Sequence, residues 1–291
     1  MDEPTQRAPL AYENKKFLDS PEARILRILS EYSEPLARFR KERIQDTVVF
    51  FGSARFASHS DAHSALEVLK KPGSLAPAPP EEQEKVQRAH AALEMARYYE
   101  EARALAHRLT QWALKIPSRR RRFVVTTGGG PGIMEAANRG AREAGGKTIG
   151  LNINLPYEQT PNPYISPELN LEFHYFFMRK LWFAYLAKAL IVFPGGFGTC
   201  DELFEILTLA QTEKLAKKIL VVMYGIEYWN RVFNLKAMID AGTISAKDVN
   251  LFKMVDSVDE AFAYLQEGLT KYHLNPPYPD KERGPEIART R

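Results

Sequence analysis

Between residues 122 and 225 the chain alternates short apolar, β-rich runs with helical patterns, and this alternation constrains the fold more than any other feature. "RFVVTT" is followed by the turn "GGGPG" (128–132) and the helical pattern "IMEAANRGAREAG". "KTIGLNI" and "LEFHYF" read as two further strands, "MRKLWFAYLAKA" (178–189) as a helix and "LIVF" (190–193) as a strand. Then come the turn "PGGFGT" (194–199), the helix "DELFEILTLAQTEKL" and the strand "KKILVVMYG". Strands separated by helices need crossover connections, so the sheet is mainly parallel and covered by helices on both faces, an α/β fold.

Upstream, "TVVFFGSAR" (47–55) reads as one more strand ending in a Gly-Ser turn. A long helical pattern runs from Glu81 to about Ile116, after an exposed loop "KKPGSLAPAPP" (70–80) that can be neither helix nor central strand. Residues 1–46 form a charged, partly helical N-terminal extension, with Ile25, Leu26, Ile28 and Leu29 at helical spacing. The expected division is 1–46 as extension, 47–273 as the α/β domain and 274–291 as a polar, Pro-rich tail. With 291 residues, 45% of them hydrophobic, the chain can bury a sizeable core.

Composition narrows the function. Cys200 is the only cysteine, so an intrachain disulfide or a multi-cysteine zinc site is excluded. No apolar run approaches the ~20 residues of a membrane span, and "MDEPTQRAPL" lacks the pattern of a secretory signal. A cytoplasmic protein without membrane partners is expected. The net charge of +4 suits anionic small molecules and is only weak evidence for nucleic acid. The one basic cluster, "RRRR" at 119–122, reads as a solvated loop ahead of a strand; contact with an anion or with nucleic acid is the alternative.

Ligands of open α/β sheets sit beyond the carboxyl ends of the strands. Both glycine turns lie there, and each opens a helix whose free N–H groups and dipole attract phosphate. Gly129 and Gly130 in the first turn, and Gly195, Gly196, Gly198 and Thr199 in the second, are the candidate cradle. A dinucleotide is disfavoured: the third glycine of its fingerprint is replaced by Ile133, and no acid ends the next strand in "GLNINLP". "GGKT" (145–148) resembles the end of a P-loop, but its first glycine falls on Ala141 and it leads into a strand. A mononucleotide or a sugar phosphate is left.

Glu202 can be read in two ways. Thr199-x-x-Glu202 has the form of a capping box, in which the acid only finishes a helix. Alternatively, the carboxylate faces the ribose of a bound nucleotide, where it can stabilise an oxocarbenium-like transition state or activate water. Arg179 and Lys180 open a helix, where cations oppose the dipole, and this placement favours function. Met178 divides evenly between core packing and purine contact. His174 reads as a packed or surface histidine. Cys200, at a helix start that would lower its pKa, has no visible partner base.

Taken together, "GGGPGIMEAANRGA", "MRK" (178–180) and P-G-G-x-G-T-x-x-E (194–202) resemble the LOG (Lonely Guy) family, cytokinin riboside 5'-monophosphate phosphoribohydrolases, many of whose members once bore a lysine decarboxylase label. The resemblance covers about residues 47–225. It implies a Rossmann-like three-layer sandwich, a homodimer or higher homo-oligomer, no cofactor or metal, and release of free base and ribose 5-phosphate from a nucleoside 5'-monophosphate such as AMP. It assigns catalysis to Arg179 and Glu202 and phosphate binding to Gly195, Gly196, Gly198 and Thr199. It adds Lys180, Glu158 and Thr208 as substrate contacts. Two departures stand out: Asp201 where plant-like members often have Glu, and "FFGSAR" in place of the usual "CGSS" turn, which leaves Ser53 without an assigned role. A broader nucleosidase serving salvage, and a non-catalytic binder of a nucleotide or cofactor, are the competing readings.

Overall fold

The computed structural model describes residues 7–69, 80–156, 160–215 and 217–275. In chain order its principal elements are α1 (Lys15–Leu18), α2 (Arg24–Lys41), β1 (Thr47–Phe51), α3 (His59–Leu69), α4 (Pro80–Leu114), β2 (Val124–Thr127), α5 (Ile133–Glu143), β3 (Thr148–Ile153) and β4 (Asn170–Phe173). They continue with α6 (Phe176–Leu186), β5 (Ala187–Val192), α7 (Phe197–Gln211), β6 (Leu220–Tyr224), α8 (Ile226–Val232), α9 (Leu235–Asp240), β7 (Lys253–Val255) and α10 (Val258–Leu269). No helix among the described residues is long and apolar enough to cross a membrane.

The seven strands form one sheet in the order β4-β3-β2-β1-β5-β6-β7, and each adjacent pair is parallel. The expected α/β class is therefore found, with helices on both sides. β1 shows why: all five residues of "TVVFF" are buried, as a central strand covered on both faces requires. Val48 and Phe50 join a core made with α4, α5 and α10, whereas Val49 and Phe51 join one made with α2, α6 and α7. Phe39 of α2 is buried against Trp182, whose indole N–H donates to the Glu31 carbonyl. The N-terminal segment thus closes one face of the sheet.

Several boundaries differ from the expectation. The helix expected over 178–189 is α6, which ends at Leu186 and passes directly into β5, so that Ala187–Ala189 are strand. Trp182, Phe183 and Leu186 of this apolar stretch are buried within the chain. The "PGGFGT" turn is shorter than expected, because α7 begins at Phe197. Helix α3 and the β7–α10 unit were not anticipated. The loop at 70–80 and the tail lie almost wholly outside the described residues.

Close helix contact has a sequence cause. A Cβ at Gly140 in α5 would sit 2.0 Å from the Arg103 carbonyl oxygen of α4. Glycine therefore lets the two backbones meet, and α4 presents Ala102, Leu105, Ala106 and Leu109, all fully buried, to the same layer. Gly140→Val is expected to cost about 1–3 kcal/mol through overpacking. Urea titration reads this as a lower midpoint at constant m; an unchanged midpoint would rule out the contact.

Candidate active site

The strand order reverses between β1 and β5: connections on one side of this pair run to β2, β3 and β4, and on the other to β6 and β7. Loops leaving the carboxyl ends of β1 and β5 diverge there and leave a crevice, the usual ligand position of such sheets. A cavity of about 660 Å³ occupies it. Its walls are the β1 loop Gly52–Phe56, the β5 loop with the start of α7 (Gly195–Thr199, Asp201, Glu202), Arg179 and Phe176 of α6, and Tyr228 of α8. Met134 of α5 and Met95 of α4 complete it.

The second glycine turn is shaped for close approach. A Cβ on Gly195 would lie 2.2 Å from the Thr199 hydroxyl oxygen and 3.0 Å from the Ser53 amide nitrogen. Here the protein itself demands glycine. Gly196 and Gly198 are different: a Cβ on either meets nothing within 4 Å, and neither has a positive φ. Neither packing nor a positive φ calls for glycine at these two positions, and both leave the backbone open to close approach. Gly196 is the N-cap of α7, with no side-chain cap. The Phe197 and Gly198 N–H groups consequently lack a helical acceptor and stand at the positive end of a 15-residue helix. The Tyr228 hydroxyl donates to the Gly195 carbonyl at 2.9 Å and holds the turn in place.

The capping-box reading of Glu202 is overturned. Thr199 lies inside α7, and its N–H donates to the Gly196 carbonyl at 3.0 Å. Glu202 is 6% exposed and faces the cavity instead. Burial pushes its pKa up to about 6, against the pull of Lys180 and Arg179. Lys180 gathers three carboxylates, at 2.8 Å from Asp201, 3.3 Å from Glu202 and 2.9 Å from Glu205. Burial lowers the pKa of its ammonium, but these partners more than reverse that, so it is held above its ordinary range.

Arg179 lies against the same wall. Its Nε donates to the Leu151 carbonyl at 2.7 Å, and its guanidinium stands over the Phe183 ring, 5.1 Å from the centroid. Burial lowers its pKa, with Glu202 opposing the shift. The first glycine turn seats this arginine: a Cβ on Gly128 would come within 2.5 Å of its Nη2. Gly129 and Gly130 do not line the cavity. Their carbonyls accept from the Asn162 side chain at 3.1 and 3.0 Å, and a Cβ on Gly129 would strike Asn152. The first N–H of α5 is likewise occupied, by the Ser53 carbonyl.

The remaining expected residues divide. Met178 is buried in the core below α6 and does not line the cavity. Thr208 is exposed two turns further along α7, away from it. Lys180 reaches the site through Glu202. Glu158 lies outside the described residues. His174 is exposed, with its backbone N–H on Glu31. Burial raises the Cys200 thiol's pKa, the reverse of the lowering expected from a helix start. Sequence reading missed Arg55, Met95, Phe176, Glu205 and Tyr228. Only Arg55 carried a signal, as a cation directly after a strand. It is exposed at the cavity and makes no ion pair among the described residues.

Comparison with known proteins bears on this arrangement. The family model described as "Possible lysine decarboxylase" matches residues 134–265. The probable cytokinin riboside 5'-monophosphate phosphoribohydrolase LOG4 of Oryza sativa subsp. japonica is 29% identical over 148 residues, which are 50% of this chain and 62% of that protein. The match thus spans less than two thirds of that relative. Two structures of the molybdenum cofactor carrier protein from Chlamydomonas reinhardtii each cover 78% of this chain and 99% of their own, at 19% and 18% identity and TM-scores of 0.42 and 0.41. The family model and the rice relative uphold the resemblance to the LOG family that the motifs display.

The raised pKa of Glu202 has a thermodynamic counterpart. When a carboxyl binds its proton more tightly folded than unfolded, its favourable contribution is complete at low pH and is lost as pH rises through the folded pKa. With a folded value of about 6 against an ordinary 4.5, ionised Glu202 disfavours the fold by about 2 kcal/mol above pH 6. Glu202→Gln should therefore be more stable than the parent at pH 8, by up to that amount, and nearly equal to it at pH 4. Urea titrations at both pH values test this, and equal destabilisation at both would refute it.

Proposed function

We propose that this chain, similar to the LOG family in its site motifs, hydrolyses the N-glycosidic bond of purine nucleoside 5'-monophosphates, of AMP or cytokinin type, to free base and ribose 5-phosphate. The observation that carries the proposal is the pairing, in one crevice, of Gly196 and Gly198, where an added Cβ would meet nothing, with the buried carboxylate of Glu202, six and four residues further on.

The 5'-phosphate lies at the start of α7, against the Phe197 and Gly198 N–H groups and the Thr199 hydroxyl. Arg55 supplies the counter-charge. Lys180 is committed to three carboxylates and Arg179 is anchored through its Nε at the Leu151 carbonyl, whereas Arg55 is exposed at the rim and makes no ion pair among the described residues. Glu202 then faces the ribose. As the bond from C1' to the base nitrogen lengthens, positive charge develops on the sugar, and an adjacent carboxylate stabilises it. With a pKa of about 6, Glu202 is mostly ionised at neutral pH yet basic enough to take a proton from water. The water oxygen bonds to C1', and the base leaves with its electron pair and acquires a proton. Arg179 orients water and the departing base.

Amino acid decarboxylation fits this site poorly. Such chemistry requires a lysine that forms a Schiff base with pyridoxal phosphate. None of the residues lining the cavity is a lysine, and the neighbouring Lys180 is fully engaged.

Incubation with AMP, a prenylated AMP and adenosine, without added cofactor, tests the reading by release of free base. Both nucleotides should be cleaved and adenosine far more slowly. Glu202→Gln should lower kcat by about 10²-fold or more while keeping AMP binding, and kcat should fall below pH 6. Arg55→Ala should raise KM for AMP with little change in kcat. AMP that binds without any release of base would leave a binding protein, and adenosine cleaved as fast as AMP would refute the phosphate cradle.

The reading includes a homodimer. Ile25, Leu26 and Leu29 on α2 are exposed, as are Phe176 and Phe177 on the adjacent α6. Such apolar groups on neighbouring helices beside the cavity suit a second copy of the chain. Light scattering at micromolar concentration should give twice the monomer mass. A monomer would oppose this part of the reading, as would a dimer unaffected by Leu29→Glu/Phe177→Glu.

A further inference from the structure

At the opposite end of the sheet, the segments that lead into β1, β2 and β3 enclose another cavity, of about 250 Å³. Six cations line it: Arg43, Arg119, Arg120, Arg121, Arg122 and Lys147. The Thr110 and Ser118 hydroxyls add donors. Β1 is five residues long, so roughly 16 Å of strand separates this cavity from the crevice described above.

Among the described residues, carboxylates answer only part of this charge, and Arg120 is itself engaged. Arg122 is paired with buried Asp46 at 2.7 Å, and Lys147 with Glu42 at 3.3 Å and Glu168 at 3.0 Å. The Arg121 Nε donates to the Glu42 carbonyl at 3.2 Å. Arg43 and Arg119 make no ion pair among the described residues. The carboxyl end of α4, at Leu114, offsets some of the excess, since helix C-termini favour cations. It cannot neutralise the guanidinium groups of both Arg43 and Arg119.

The rim is held rigidly. Arg43 and Phe123 have φ of 55° and 53°, a region that side chains rarely adopt. Short backbone hydrogen bonds fix the two segments to each other, Arg121 N–H to Arg43 C=O at 2.7 Å and Gln45 N–H to Arg121 C=O at 2.9 Å. A backbone strained at two places and fastened across the gap keeps like charges close together, an arrangement that an anion would stabilise. Guanidinium groups match phosphoryl oxygens as two-pronged donors. The volume is that of about eight waters, enough for two or three phosphoryl groups. Nucleic acid fits less well: it needs an extended basic track with exposed stacking faces, whereas Phe123 is buried against Trp112, the rings 4° from parallel.

We infer that this cleft is a second ligand site, for a compact phosphoryl anion of the pyrophosphate or triphosphate type. The inference is independent of the hydrolase reading. Its test is calorimetric titration of the full chain with sodium pyrophosphate at fixed ionic strength. An Arg55→Ala background suppresses binding at the carboxyl-end crevice. One anion should bind per chain, and Arg43→Ala/Arg119→Ala should weaken it by at least about tenfold without altering the circular dichroism spectrum. Arg119→Glu alone, at an exposed position, should act in the same direction and serves if the double variant does not fold. Parallel titrations with tripolyphosphate and ATP separate free polyphosphate from the tail of a nucleotide. Superimposable isotherms for parent and variants would overturn the inference. So would a short DNA duplex that binds more tightly than pyrophosphate and is lost in the same variants, which would make the face a nucleic-acid surface.

Discussion

Reversal of strand order between β1 and β5 is the constraint on which the site depends. A parallel sheet buried on both faces sends every connection over one layer or the other, and only at the reversal do two neighbouring loops part company. That divergence brings the Gly52–Phe56 loop opposite the Gly195–Thr199 loop, although about 140 residues separate them in sequence. Ser53 joins the two halves. Its N–H donates to the Pro194 carbonyl at 2.9 Å, and its carbonyl accepts from Ile133 at 3.1 Å. The residue to which the motif comparison gave no role therefore fixes the relative position of three loops.

Within the crevice, the electrostatics set stability against chemistry. Asp201, Glu202 and Glu205 share one ammonium. Burial raises the pKa of Glu202 first of all, and the charge of nearby Glu205 adds to it, against the pull of Lys180 and Arg179. A carboxyl serving the fold alone would gain from a lower value. One held near 6 in a cavity, beside a desolvated arginine, matches what a proton-transfer group requires.

The sequence made the element types legible because the apolar runs were long and regularly spaced. It left boundaries open where two strong patterns abut: the apolar run through α6 and β5 has no polar break, so periodicity could not locate the change at Ala187. Among the site residues, the second glycine turn and Glu202 were legible because chemistry and spacing coincide there. Thr199-x-x-Glu202 misled as a cap, because α7 begins at Phe197, three residues earlier than the Cys200 start that a Thr199 cap requires, and so places Thr199 inside the helix. The first glycine turn was given to phosphate, whereas its glycines accommodate Arg179, Asn152 and Asn162. Tyr228 and Met95 reach the cavity from distant elements, and nothing local in the sequence marks them.

Helix α4 touches both ends of the molecule. Met95 lines the crevice and Thr110 the basic cleft, about 22 Å apart at the rise of an α-helix. A shared helix does not by itself couple two sites. Coupling needs an element with two seats whose balance each ligand shifts. The face of α4 between these residues is formed by Ala96, Tyr99, Ala102, Leu105, Ala106 and Leu109, each at most 2% exposed. At its middle, the Arg103 carbonyl is locked against Gly140. Sliding the helix by a residue would drive a side chain into that contact and empty several filled positions at once. The packing that fixes α4 between the two cavities therefore argues against coupling of one to the other through this helix.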